Sequence, residues 1–160
     1  MYTTKNDLSE PVRTKIIQLL NARLADAIDL QTQMKQAHWN VKGPSFIALH
    51  ELFDKINEDV EDYVDLIAER AVQLGGIAIG TARSVAQRSQ QKEYPLEISS
   101  GRDHVEAVAN VLATFGKAAR AAIDASDELR DKDTADIFTE VSHGVDKWLW
   151  FVEAHLQAER

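Results

Sequence analysis

The sequence predicts an all-α fold: a four-helix bundle with a short extra helix in the long connection between the second and third helices. Three observations carry this. Four long segments place apolar residues at helical spacing, and no segment alternates with the two-residue period of a half-buried strand. Only 7 Gly and 3 Pro interrupt 160 residues, so long helices can run unbroken. Apolar residues make up 44% of the chain, enough for the core of one domain, and disorder is excluded.

Each element has its own start and stop. Ser9-Glu10-Pro11 reads as a helix start, a capping hydroxyl followed by Pro in the first turn. Ile16, Leu19, Leu20, Leu24, Ala27 and Ile28 follow on one face, which predicts a first helix over about 10–37. The run Trp39-Asn40-Val41-Lys42-Gly43-Pro44 breaks it. Ser45 can cap a second helix reaching about residue 74, where Gly75-Gly76 stops it. A looser stretch over 77–99 holds a short helix near 81–88 and closes at Tyr94-Pro95. Ser100-Gly101-Arg102-Asp103 has the shape of a capping box and opens a third helix to about residue 127. Asp133-Thr134-Ala135-Asp136 repeats a similar start for a fourth helix ending near Gln157. The connection between the second and third helices is long enough to cross the bundle lengthwise. Residues 1–160 read as one domain, with a short N-terminal extension at about 1–8.

Composition narrows the function. A formal net charge of −8 argues against a generally basic nucleic-acid binder and suits a cationic partner. Without cysteine there are no disulfides and no thiolate metal sites. No apolar run is long enough to span a bilayer, and no basic-then-apolar leader opens the chain. The expected location is the cytoplasm, with association with the nucleoid left open.

The second helix carries an unusual pair of stripes. At about 100° per residue from Leu49, the residues Phe53, Ile56, Val60, Val64, Ile67 and Ala71 stay within roughly 60° of it. His50, Asp54, Asp65 and Glu69 fall at about 100°, 140°, 160° and 200°. A helix that buries the first stripe turns the second away from its own core. His50 and Asp54 are one turn apart, as are Asp65 and Glu69, so each pair can reach one ion. Asp54 and Asp65 are separated by roughly 16 Å along the axis, so one chain cannot close all four around one ion. An antiparallel copy of the helix can, about a two-fold axis near Asp59 and Val60. His38, where the first helix ends, is one turn of chain from joining them. Two imidazoles and three carboxylates without thiolate suit iron, manganese or zinc rather than copper(I). A solvated acidic face is the alternative reading, since Glu58, Glu61 and Asp62 show how common acids are here.

These residues carry a resemblance. Lys35-Gln36-Ala37-His38-Trp39-Asn40, then Gly43, Phe46-Ile47-Ala48, His50-Glu51, Asp54 and Asp65, then Ala68-Glu69-Arg70-Ala71-Val72-Gln73-Leu74-Gly75-Gly76, closely resemble the Dps proteins, the miniature ferritins also called DNA-binding proteins from starved cells. The likeness continues through Tyr94-Pro95, Asp133-Thr134-Ala135-Asp136-Ile137, Asp146-Lys147 and Leu149-Trp150-Phe151. It implies a ferritin-like four-helix subunit in a hollow dodecameric shell. It implies an iron-sequestering ferroxidase, in which iron(II) is oxidised preferentially by hydrogen peroxide rather than dioxygen and stored as ferric mineral, protecting against oxidative stress. His38, His50 and Asp54 match the family's ligands from one subunit, and Asp65 and Glu69 those from its two-fold partner. Zinc or manganese would compete for such a site.

Further roles follow from the resemblance alone. Trp39 matches a tryptophan near the centre that can take part in electron transfer; an interface aromatic is the alternative. Asp133 and Asp136, with Glu128 and Asp131 beside them, match the region lining an acidic iron-entry pore, and Asp133 also reads as a helix cap. Trp148 and Trp150 read as packing residues, and His104, His143 and His155 show no site pattern. Family members that compact DNA often use a lysine-rich tail. Here Lys5 is opposed by Asp7 and Glu10, Arg13 and Lys15 lie inside the first helix, and Arg160 sits against Glu159. Phosphate binding needs several basic contacts, so weak or absent DNA binding is expected. The rival reading is a nucleoid-associated DNA-protecting protein with a secondary metal site.

Overall fold

The computed structural model describes residues 1–157. Five helices run in the order α1 (Glu10–Asn40), α2 (Phe46–Gln73), α3 (Ala82–Arg88), α4 (Gly101–Glu128) and α5 (Lys132–Gln157). Among the described residues there is no strand, only an isolated parallel bridge between Lys42 and Ser100. The four long helices form the bundle: α1 packs on α2, α4 on α5, and the two hairpins meet through α1–α4 and α2–α5. The short α3 lies against α1.

The path of the long connection is fixed at both ends. At one end, Arg13 near the start of α1 donates to the Leu74 carbonyl (3.0 Å), and the Tyr2 amide donates to the Gly75 carbonyl (2.7 Å). At the other, the Lys42 amide beyond the end of α1 donates to the Ser99 carbonyl (3.0 Å). The chain between therefore travels the length of the bundle, and α4 starts beside the start of α2. The Tyr2 contact also means that the N-terminal segment is packed against the end of α2.

The core joins all four long helices. Ile16, Leu20, Leu24, Leu30 and Met34 of α1 meet Phe53, Ile56, Val60 and Ile67 of α2, and Phe115 of α4 meets Phe138 of α5 in the same cluster, all fully buried. At about 25 cal/mol per Å² of apolar surface, burying each such side chain stabilises the fold by about 1.5–3 kcal/mol. Val64, expected in the buried stripe of α2, is only half-buried, and Tyr63 and Arg70 take places facing the bundle instead.

Helix ends differ from expectation in instructive ways. The first helix continues through Trp39 and Asn40, because the Val41 amide still reaches the Ala37 carbonyl (3.0 Å). Ser9 and Ser45 stand at the expected cap positions, but neither hydroxyl makes a capping bond. Ser100 does, accepting from the Asp103 amide at 3.1 Å. Gly75 ends α2 with φ +85°, and a Cβ there would meet the Tyr2 carbonyl at 2.6 Å, so this position needs glycine twice over. The cap of α5 is not Asp133. Asp131 holds that place, its carboxylate accepting from the Thr134 amide (3.1 Å) and the Thr134 hydroxyl (2.6 Å).

Candidate metal centre

The turn over 41–45 folds the end of α1 back beside the second turn of α2. Gly43, at φ +113°, makes that turn, and its carbonyl accepts from the Phe46 amide (3.0 Å). The result sets His38 against His50. Their rings stack with centroids 3.6 Å apart and planes 21° from parallel. The contact is reciprocal: His38 Nδ1 lies 2.8 Å from the His50 carbonyl oxygen, and His50 Nδ1 lies 2.8 Å from the His38 carbonyl oxygen. A carbonyl can only accept, so both Nδ1 atoms carry hydrogen. In the neutral rings both Nε2 atoms then keep their lone pairs. Backbone-anchored Nδ1–H with free Nε2 is the arrangement by which proteins orient metal-binding imidazoles.

Asp54 stands one turn further along α2. Its Oδ1 accepts a charge-assisted bond from Lys35 Nζ at 2.6 Å and lies 3.9 Å from His38 Nδ1. The Lys35 ammonium holds the Asp54 carboxyl below its ordinary range, against the opposing effect of burial and with further help from His38. Lys35 is a neighbour that sequence reasoning missed. Its place three residues before His38 on the same face of α1 was the available signal.

His38, His50 and Asp54 are thus together, all half-buried, at one end of α2. Asp65 and Glu69 lie on the same helix about three to five turns away and are exposed. The five residues do not meet within one chain. Among the described residues no group of three or more His, Asp or Glu side chains is placed to hold a metal ion by itself. The donor set suits iron(II): hard carboxylate oxygens and borderline nitrogens, with no soft sulfur.

The neighbourhood divides into exposed and committed residues. Trp39 is 67% exposed, with Lys35 Nζ 6.0 Å from its ring centroid. Asp133, Asp136 and Glu128 are exposed near the start of α5. Asp131 is not part of that exposed set. It is 2% exposed, and Arg70 Nη2 donates to its Oδ1 at 2.7 Å while Arg70 Nε donates to the Thr134 hydroxyl at 3.0 Å. A carboxylate engaged by a buried guanidinium and by its own helix cap cannot line a pore. Trp148 is a packing residue whose indole donates to Asp59 (2.8 Å), whereas Trp150 is 63% exposed and meets Phe151 edge-on. Arg13 spends its guanidinium on the Leu8 and Leu74 carbonyls, and the pair Glu159 and Arg160 lies outside the described residues. Among the described residues no helix is long and apolar enough to cross a membrane.

Comparison with known proteins places this geometry among relatives. The family model of the ferritin-like domain matches residues 17–160. A protein of Agrobacterium fabrum named DNA protection during starvation protein is 47% identical over 156 residues, covering 98% of this chain and 96% of the relative. The fine tangled pili major subunit of Haemophilus ducreyi is 33% identical over 141 residues, covering 88% of this chain and 74% of the relative. In three dimensions the chain is similar to Mycobacterium smegmatis Dps, with a TM-score of 0.93 and 30% identity over 99% of this chain and 95% of that one.

Proposed function

Because the chain belongs to the ferritin-like family and, within it, to the Dps proteins, we propose that it is an iron-sequestering ferroxidase whose catalytic site is completed by a second copy of the same chain. The observation that carries this reading is the split ligand set on α2. His38, His50 and Asp54 form a prepared half-site, and Asp65 and Glu69 stand too far along the same helix to join it. A two-fold contact along α2 brings Asp65 and Glu69 of one protomer to the His50 end of its partner, twice per interface.

Each residue has a role in that site. The Nε2 lone pairs of His38 and His50 bind iron(II), held in aim by their Nδ1–H bonds to backbone. Asp54, kept ionised beside Lys35, supplies charge balance. Asp65 and Glu69 bring the further carboxylate oxygens that favour iron(III) over iron(II) and so lower the barrier to oxidation. Hydrogen peroxide takes two electrons, one from each of two iron(II) ions, and leaves as water or hydroxide without releasing hydroxyl radical. Ferric product collects as mineral inside a closed homo-oligomeric shell, for which we infer twelve subunits. Asp133, Asp136 and Glu128 form the acidic approach by which iron(II) is drawn in.

The same reading accounts for protection of DNA through chemistry rather than contact: consuming iron(II) and peroxide together removes the reactants that make hydroxyl radical. Direct DNA binding is weak or absent, since the described N-terminal segment is packed on α2 and Arg13 is engaged. The site operates in the cytoplasm. Anaerobic iron(II) titration followed by peroxide, on an assembly of measured size, tests the proposal. Saturable binding at about one or two ions per subunit, then fast peroxide-dependent oxidation, is expected. Absence of saturable binding would leave α2 with an idle acidic face.

A further inference from the structure

Besides the stacked imidazoles the fold buries a tyrosine–imidazole pair. Tyr94 and His104 are 7% and 1% exposed, and the Tyr94 hydroxyl lies 2.7 Å from His104 Nδ1. The direction of this bond follows from the count of unpaired groups. The backbone of Asn40 and Ile98 lies by the imidazole, and His104 Nε2 is buried without a hydrogen-bond partner among the described residues. With the phenol donating to Nδ1, only the hydrogen on Nε2 goes unpaired; with Nδ1–H donating instead, both the phenolic hydrogen and the Nε2 lone pair would. His104 Nδ1 is therefore the acceptor and the Tyr94 phenol the donor. Burial keeps both groups neutral, pushing the phenol's pKa up and the imidazole's down.

The pair adjoins the metal half-site. Asn40 is two residues beyond His38, and the bond from the Lys42 amide to the Ser99 carbonyl (3.0 Å) ties that end of α1 to the start of α4, where His104 occupies the first turn. Tyr94 also lines a groove of about 1090 Å³ together with Lys35, Trp39 and Asn57. Lys35 is the residue whose ammonium engages Asp54.

We propose that Tyr94 is a proton-coupled one-electron donor to the iron site, with His104 as the base that takes its phenolic proton. The inference rests on the peroxide-dependent iron oxidation proposed above. When a site holds a single iron(II), peroxide meets one electron where it needs two, and hydroxyl radical is the default product. Tyr94 supplies the second electron. Iron(II) becomes iron(III), the phenol becomes a neutral phenoxyl radical, its proton passes to His104 Nδ1, and the O–O bond breaks to give two hydroxide ions. Two electrons leave and two are accepted, and the net charge is unchanged. The base is essential because losing an electron turns the phenol from a weak acid into a strong one, so the proton must leave with the electron, and His104 Nδ1 at 2.7 Å is the acceptor placed to take it. Trp39 lines the same groove but is 67% exposed, and among the described residues no hydrogen-bonded base faces its indole.

The test uses the full assembly, loaded anaerobically with one iron(II) per site, mixed with peroxide and frozen rapidly for electron paramagnetic resonance. A tyrosyl radical is expected, its spectrum narrowed when the chain is made with ring-deuterated tyrosine. Tyr94→Phe should lose the signal, His104→Gln should weaken it, and Tyr2→Phe and Tyr63→Phe should keep it. These last two identify the residue by elimination if Tyr94→Phe does not fold. A radical of undiminished amplitude in Tyr94→Phe, or one indifferent to tyrosine deuteration, overturns the inference. Iron oxidation is followed optically in the same samples. Normal oxidation without a tyrosyl radical overturns this inference alone, whereas an unaltered chain that fails to oxidise iron with peroxide overturns the proposed function and this inference with it.

Discussion

His38 and His50 hold each other's backbone carbonyls through Nδ1 at 2.8 Å, and this contact leaves the Nε2 lone pair of each neutral ring unused. The sequence offered both as candidate ligands, His50 from its spacing to Asp54 and His38 from its place at a helix end together with the resemblance, and the structure brings the two rings together. Their stacking was not legible in the sequence, since it depends on the turn at Gly43. Lys35 carried a signal in its place on the His38 face of α1, but its pairing with Asp54 was hidden, because no periodicity reaches from one helix to another. At this scale, Glu69→Gln should abolish fast peroxide-dependent iron oxidation while leaving the assembly's size unchanged by light scattering, because Glu69 is exposed in the single chain. Retained oxidation kinetics would remove it from the site. His104 gives a pH prediction. Burial depresses its pKa in the folded chain below the ordinary 6.5. Below that value the unfolded chain takes up a proton that the folded chain refuses, so stability falls as pH drops through about 6.5 toward the folded pKa. Urea unfolding across that range should show the slope, and His104→Gln should flatten it.

The second helix shows how far periodicity carries. Its apolar stripe was placed almost residue for residue, because burial follows helical spacing directly. Tyr63 and Arg70 broke the pattern, each for a partner on α5. Arg70 meets Asp131 and Thr134, a network joining the end of α2 to the start of α5. Sequence spacing pointed to Asp133 as the cap of α5, since both positions offer an acid. Asp131 takes the cap because its carboxylate accepts from the Thr134 amide and hydroxyl while buried against the Arg70 guanidinium at 2.7 Å; Asp133 stands exposed, 3.7 Å from the same guanidinium. Arg70→Ala would leave Asp131 buried without its cation and should cost about 3–5 kcal/mol in urea unfolding at fixed protein concentration. Tyr63 lies against Gly144 so closely that a Cβ there would overlap its hydroxyl. Gly144→Ala should therefore destabilise by about 1–3 kcal/mol despite the better helix propensity of alanine. Adding Tyr63→Phe should recover part of that loss, and a double-mutant cycle measures how much. Full additivity would show that the two positions do not touch.

At the scale of the whole molecule, the lengthwise crossover was legible because 27 residues between α2 and α4 are far more than a hairpin needs. Nothing in one chain's spacing reports how chains meet, yet the ligand stripe demands an answer, since His50–Asp54 and Asp65–Glu69 face away from their own core. The account's central claim is that two chains share each site, and subunit complementation tests it most directly. Asp54→Asn and Glu69→Gln each disable every site in their own assemblies. When the two variants are unfolded together and reassembled at equal amounts, half the two-fold pairs are mixed, and each mixed pair holds one site with all its native ligands. Peroxide-dependent iron oxidation should return to about a quarter of the unaltered protein's level. If each site were built within one chain, no reassembled chain would own a complete set, and a mixture as inactive as its parents would contradict the account.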